Sequence, residues 1–135
     1  MAAATGPRNT VKLNDSKLKV PPVAANTQVF QGSLVALKDG FAVPAAADAT
    51  QVVIGRANTG ADNRGGAPGG ASVEVERGVF AWANDGAAPV TQALVGKPCF
   101  VLDDQTVSAS SSSNTRPQAG IVYQIDDDGI WVETR

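Results

Sequence analysis

Short runs of alternating apolar and polar residues follow one another along this chain, and residues that favour turns separate them. Residues 33–37 and 41–43 flank Asp39-Gly40, a pair typical of the two-residue turn of a β-hairpin. This spacing is repeated along the chain and predicts about eight short strands. They are residues 29–37 (interrupted at Gly32), 41–43, 51–57, 72–83, 98–102, 106–110, 119–125 and 130–133.

Two details of the strand pattern carry further expectations. Gly78 lies inside an otherwise regular strand and indicates a β-bulge. Near the C-terminus the alternation places Ile121, Tyr123 and Ile125 on one face of their strand. The acidic run ending at Gly129 predicts the hairpin turn that follows it.

Helix signals are nearly absent, and the best candidate is one or two turns at residues 89–96, ending at Gly96. Three segments are predicted as loops: residues 45–50 (or a single helical turn), the glycine-rich residues 58–70, which we expect to be exposed and mobile, and the serine-rich tip at 110–114. The chain is therefore predicted to be all-β. We expect a small β-barrel or sandwich of short antiparallel strands with at most one short helix, plus an extended N-terminal arm.

Pro21-Pro22 separates that arm from the rest, so the expected organisation is an arm at residues 1–25 and a β-rich domain at residues 26–135. Residues 1–20 contain four basic residues and one acidic residue, a net charge of +3, whereas the remaining residues carry a net charge of −5. Apolar residues alternate within the arm. It can be interpreted as a solvated tail or as a segment that adds a strand to a neighbour's sheet.

Composition narrows the functional classes. The chain of 135 residues has no His and one Cys, which excludes His-based metal sites, Ser-His and Cys-His catalytic pairs and an internal disulfide. A net charge of −2 disfavours nucleic acid as a partner. No apolar run is long enough to cross a membrane, and no signal peptide is recognised, so we expect a soluble protein made in a cytoplasm.

Candidate chemistry is sparse. The run Asp126 to Asp128 lacks the ligand spacing of a calcium loop, and Ser110 to Ser113 have no residue that would activate a nucleophile. The glycines of residues 58–70 do not match a phosphate-binding loop, and Cys99 lies in an apolar strand typical of a buried thiol. We therefore predict a protein that is not an enzyme and needs no cofactor or metal, and whose role is binding or assembly.

Spaced glycines, acidic turns and strand residues in the C-terminal half resemble the pattern of head decoration (capsid cement) proteins of tailed bacteriophages. The similar positions are Gly96, the strand at 98–102, Asp103-Asp104, Thr106-Val107, Gly120-Ile121-Val122 and Gly129-Ile130-Trp131-Val132. Upstream, residues 31–35 and 75–80 also fit, so the resemblance covers residues 28–135 and leaves out the arm.

This resemblance implies a virion structural protein on the outer surface of an assembled icosahedral head, where it would cement neighbouring major capsid subunits. It further implies a homotrimer, made in the host bacterial cytoplasm, that binds neither nucleic acid nor membrane. The residues expected to contact the capsid are Arg8, Val11, Lys12, Leu13, Lys17, Leu18, Lys19 and Val20. The alternatives are a head-fibre or turret base, a tail-associated β domain, or an accessory or enzyme subunit that binds a metal at Asp126 to Asp128.

Overall fold

The computed structural model describes residues 3, 5–8 and 17–134. Within these residues the chain forms twelve strands and one 3-10 turn, so the predicted all-β class is confirmed. The strands are β1 (Leu18–Lys19), β2 (Thr27–Val29), β3 (Leu34–Lys38), β4 (Phe41–Pro44), β5 (Val52–Ala57), β6 (Ala61–Asn63), β7 (Val75–Glu76), β8 (Val79–Asn84), β9 (Pro98–Asp103), β10 (Thr106–Ser108), β11 (Gln118–Asp126) and β12 (Gly129–Glu133).

Five strands of the C-terminal half close into a small barrel in the order β10-β8-β12-β11-β9. All neighbours are antiparallel except β8 and β10, whose parallel pairing closes the ring. Because alternate residues of a strand point to opposite faces, each barrel strand sends valine, isoleucine or tryptophan inward. The barrel core includes Trp82, Val101, Val107, Val122, Ile130 and Val132.

A five-stranded sheet with the order β1-β7-β5-β3-β4 packs against the barrel. Its strand β3 is buried on both faces: Leu34 and Ala36 belong to the barrel core, whereas Val35 belongs to a second core with Val23 and Val73. The β3–β4 hairpin turns at Asp39-Gly40, both with positive φ, as predicted. Strand β3 therefore joins the two halves of the molecule into one packed body.

Residues 17–23, which the sequence assigns to the arm, run antiparallel along residues 71–77. The amide of Arg77 donates to the carbonyl of Lys17 at 2.7 Å, and the amide of Val23 donates to the carbonyl of Ala71 at 2.9 Å. Val23 is fully buried in the second core. In this structure residues 17–25 therefore belong to the packed body rather than to a separate arm.

The prediction of one long strand at residues 72–83 is wrong. The segment consists of β7 in the five-stranded sheet and β8 in the barrel, and the chain passes from one to the other at Arg77-Gly78. Gly78 is needed for packing rather than for a bulge, because a Cβ there would lie 3.2 Å from the ring of Phe80. The helix expected at residues 89–96 is only a 3-10 turn, Gln92–Leu94.

The glycine-rich residues 58–70 are mostly exposed, as expected, but they are not entirely loop. They include β6, which pairs with β2, and the buried side chain of Asn63. The Nδ2 of Asn63 donates to the carbonyls of Ala24 and Ala67, both at 2.9 Å. Since Gly66 and Gly70 lie directly against the Asn63 amide, their missing side chains make room for it. Gly66 and Gly70 thus make room for a buried polar anchor.

In β11 the residues predicted to share one face, Ile121, Tyr123 and Ile125, do not all face the core. The register shifts between Val122 and Gln124, so Val122 and Ile125 both contact the barrel core although they are three residues apart. Tyr123 lies at the bulge and is 58% exposed. A bulge interrupts the alternation of side chains along a strand. The prediction, which assumed that every second residue lies on the same face, is therefore wrong for this strand.

We expect Gly120→Ala to destabilise the fold by about 1–3 kcal/mol, because added bulk in a packed site and backbone strain both cost free energy. Gly120 has φ +156°, and a Cβ there would overlap the carbonyl oxygen of Glu133 in the neighbouring strand. Urea denaturation measures the effect. Gly86→Ala is the matched control, since a Cβ at Gly86 meets nothing within 4 Å. Equal stability of the two variants would contradict this close approach.

Candidate functional site

The outer side of residues 17–20, here called the β1 edge, is a strand edge with unpaired backbone groups. The amides of Arg77 and Val73 donate to the carbonyls of Lys17 and Pro21, so the odd-numbered residues carry the bonds to the neighbouring strand. In an antiparallel ladder the intervening residues direct their N–H and C=O to the opposite side. The backbone groups of Leu18 and Val20 therefore point outward, where no other described residue bonds to them.

The side chains of the β1 edge combine apolar surface with positive charge. Leu18 is 52% exposed and Val20 is 64% exposed, two of the most exposed large aliphatic side chains in the described structure. Lys17 and Lys19 are exposed and form no ion pair with any residue that the structure describes. The alternation of a strand places Leu18 and Val20 on one face and Lys17 and Lys19 on the other, so the edge has an exposed aliphatic face and a positively charged face.

A cleft of about 410 Å³ lies beside the β1 edge, where the five-stranded sheet meets the barrel. Its lining includes Lys17, Arg77 and Glu133, together with the buried Thr134, whose Oγ1 has no hydrogen-bond partner among the residues that the structure describes. Neither Arg77 nor Thr134 has a sequence pattern that would mark it as a binding residue. They come together only because the end of β12 lies at the β7–β8 crossover, where the amide of Thr134 donates to the carbonyl of Gly78 at 2.9 Å.

A polar network stiffens the strands beneath the β1 edge. The guanidinium carbon of Arg56 lies 4.2 Å from the ring centroid of Phe80, and its Nη2 donates to Asn58 at 2.8 Å. The side-chain amide of Asn58 in turn donates to the carboxylates of Glu74 at 3.0 Å and Glu76 at 3.1 Å. Because β1 pairs directly with β7, this network holds the strand to which the edge is attached.

The structure places the eight predicted contact residues in three groups. Arg8 is exposed and has no secondary structure. Val11, Lys12 and Leu13 lie outside the described residues. Lys17 to Val20 are brought together at the β1 edge, which makes them the part of the predicted site that has a defined geometry.

The candidate reactive side chains Asp126 and Cys99 have structural roles in this fold. Asp126 accepts a hydrogen bond from the Trp131 indole at 2.8 Å, and this bond above all lowers the pKa of Asp126. Burial raises the pKa of the Cys99 thiol to about 12. Among the residues described, no group of three or more His, Cys, Asp or Glu side chains could hold a metal, and no helix is long and apolar enough to span a bilayer.

A buried polar chain links the barrel to the serine-rich tip. Ser108, fully buried, donates to Asp85 at 2.9 Å, and the Arg116 guanidinium donates to Ser108 at 3.2 Å. A hydrogen bond from the backbone amide of Ala87 lowers the pKa of Asp85 below its usual value, and the bond from the Ser108 hydroxyl has the next largest effect. Arg116 also holds the carbonyl of Ser110 at 3.1 Å, which gives the tip a fixed anchor.

The hydrogen bonds of the Asp85 carboxylate predict that the free energy of unfolding depends on pH. A carboxylate with a lowered folded-state pKa contributes stability above its unfolded pKa of about 3.9 and loses that contribution as pH falls through the folded value. Asp85→Asn should therefore be less stable than the native chain at pH 7, and the difference should shrink as pH falls below about 4. Thermal unfolding from pH 7 to pH 2.5 measures it. Asp127→Asn, which removes the same charge from an exposed turn, is the matched control. A stability difference between Asp85→Asn and the native chain that stays constant from pH 7 to pH 2.5 would contradict the assignment.

Comparison of the chain with protein-family models, with curated proteins and with solved structures found no match. Within the described residues, the β1 edge combines free backbone groups with exposed apolar side chains on one face and unpaired lysines on the other. Unpaired backbone groups at a sheet edge are the groups to which an extended segment can add as a further strand.

Proposed function

We propose that this protein is a head decoration protein of a tailed bacteriophage, which binds the outside of the assembled head and cements neighbouring major capsid subunits. The observation that carries the proposal is the β1 edge, a free strand edge with two exposed aliphatic side chains on one face and two unpaired lysines on the other. The resemblance in residues 28–135 supports it independently, because those positions lie in the body and not at the edge.

Strand addition is the mode of binding that this edge favours. Backbone bonds from Leu18 and Val20 would fix the register of an incoming strand, and their side chains would supply apolar burial. Lys17 and Lys19 would attract an acidic segment, and this contribution falls as salt screens the charges. A body with a net charge of −5 would not itself be attracted to such a segment, so the positive charge of residues 1–20 directs the edge toward it.

Cementing follows from repetition of this contact. A small interface gives modest affinity by itself, but several copies bound side by side on a lattice multiply it. A protein that binds only the expanded head stabilises that state by mass action. This role needs no catalytic group.

Removing residues 2–20 tests the proposal. We expect this variant to lose sedimentation with empty expanded heads of the phage that encodes the chain. The reason is that the whole β1 edge is absent, while Val23 still anchors the body in the second core. Removing only residues 2–16 is the matched control, and it should retain part of the binding because the edge remains. Thermal unfolding confirms that both variants are folded. Undiminished sedimentation of the variant lacking residues 2–20 would overturn the assignment of the edge.

The position of the bound protein separates this proposal from its alternatives. A decoration protein covers the head surface, whereas a fibre or turret base is confined to the vertices and a tail protein to the tail. Negative-stain images of virions labelled with an antibody against the chain distinguish the three. Label only at vertices or tails would contradict the proposed role.

A further inference from the structure

A second groove lies away from the β1 edge, between the β2–β3 connection and the β9–β10 turn. It has a volume of about 470 Å³ and is lined by Phe30, Gln31, Gly32, Ser33, Asp104 and Gln105. The amide of Leu34 donates to the carbonyl of Asp104 at 2.8 Å, so the two walls are held together by the backbone. The hydroxyl of Ser33 donates to the carbonyl of Phe30 at 2.8 Å, which fixes the wall that carries the aromatic ring.

The groove presents an aromatic ring beside a carboxylate that has no cation. Phe30 is 62% exposed. Asp104 forms no ion pair with any of the described residues, and partial burial, followed by the neighbouring charge of Asp103, raises its pKa. A lysine or arginine side chain would relieve the repulsion of the two carboxylates and could lie on the face of the ring. The chemistry of the groove thus fits a basic, partly apolar peptide segment.

This chain itself contains such a segment. Sixteen residues precede Lys17, and they include Arg8 and Lys12 together with Val11 and Leu13. Residues 1–16 contain Arg8, Lys12 and Asp15, a net charge of +1 against −3 for residues 17–135, so the packed body of one copy attracts the N-terminal segment of another. Sixteen extended residues span at most roughly 50 Å, which is long enough to reach a neighbouring molecule.

We propose that, before a head is bound, the N-terminal segment of one copy docks in the Phe30–Asp104 groove of a second copy. A basic side chain of the segment pairs with Asp104 and lies over Phe30, and apolar residues beside it contact the ring edge. This deepens the proposed function, on which it rests, since it specifies the contact between copies and leaves the β1 edge of each copy free for the capsid.

Sedimentation equilibrium of the full chain, without heads, tests this inference. We expect association that weakens at high salt, and a tenfold or greater loss of association affinity in Asp104→Asn and in Phe30→Ala. Asp127→Asn removes the same charge from another turn, and Val52→Ala shortens another side chain of similar exposure, 63%. Both controls should associate like the native chain. Removing residues 2–16 should abolish association.

A monomer at every concentration and salt, or association that the groove variants leave unchanged, would overturn the inference. Loss of association only on removal of residues 2–16, with the groove variants unaffected, would also overturn it, because the segment would then dock elsewhere. Since no head is present, each of these outcomes is independent of whether the β1 edge binds capsid.

Discussion

Leu34→Ala should unfold with a free energy about 2–5 kcal/mol lower than that of the native chain, the range expected when a fully buried leucine loses its side chain. Leu34 is completely buried and is one of the two largest fully buried side chains. It projects from β3 of the five-stranded sheet into the barrel core. The cavity would therefore open at the contact between the two halves of the molecule, where the backbone of β3 is held by strands on both sides and cannot collapse easily.

Urea denaturation followed by tryptophan fluorescence measures this effect, because Trp82 lies in the same core. Leu18→Ala is the matched control: the same atoms are removed from a side chain that is 52% exposed, and we expect a change below about 1 kcal/mol. A loss of less than about 1 kcal/mol for Leu34→Ala would mean that the sheet and the barrel do not share one core.

Leu18→Pro should reduce the affinity for expanded heads by about tenfold or more while leaving the fold stable. The amide of Leu18 points outward, so proline removes a donor that the internal ladder does not use, and edge strands tolerate proline at such positions. The loss of one backbone hydrogen bond and the bulk of the ring would both oppose an added strand. One hydrogen bond contributes about 0.5–1.5 kcal/mol, which corresponds to a factor of up to about ten.

Two controls separate the backbone from the side chain. Leu18→Ala keeps the outward amide and removes only apolar surface, so it should bind better than Leu18→Pro. Lys97→Gln removes a charge from an exposed site outside the β1 edge and should bind like the native chain. Equal binding of Leu18→Pro and Leu18→Ala would show that the edge contributes side chains but accepts no strand.

Local features of this fold could be predicted from the sequence. The β3–β4 hairpin follows from Asp39-Gly40, because a two-residue turn fixes the register of its own strands. The alternation of residues 17–20 left two interpretations, a solvated tail or a strand added to a neighbour's sheet, whereas the structure pairs these residues with β7 of the same chain. The hairpin depends on interactions within a few residues, but the pairing of Leu18 with Glu76 does not.

Features that depend on distant residues could not be predicted. The parallel pairing of β8 with β10 closes the barrel, but nothing in either segment specifies its partner. The amide of Asn63 is bonded to the carbonyl of Ala24, 39 residues away, so a glycine-rich segment that resembles a loop is in fact anchored. The cleft beside the β1 edge arises in the same way, since Thr134 and Arg77 meet only after the barrel has closed.

We propose that the chain binds the outer surface of a phage head through the β1 edge. Electron microscopy of heads lacking the protein, mixed with saturating native chain or with Leu18→Pro, tests this most directly. We expect regular added density over the outer capsid surface with the native chain and reduced occupancy at the same positions with the variant. Heads without added density, or equal occupancy by both proteins, would contradict it.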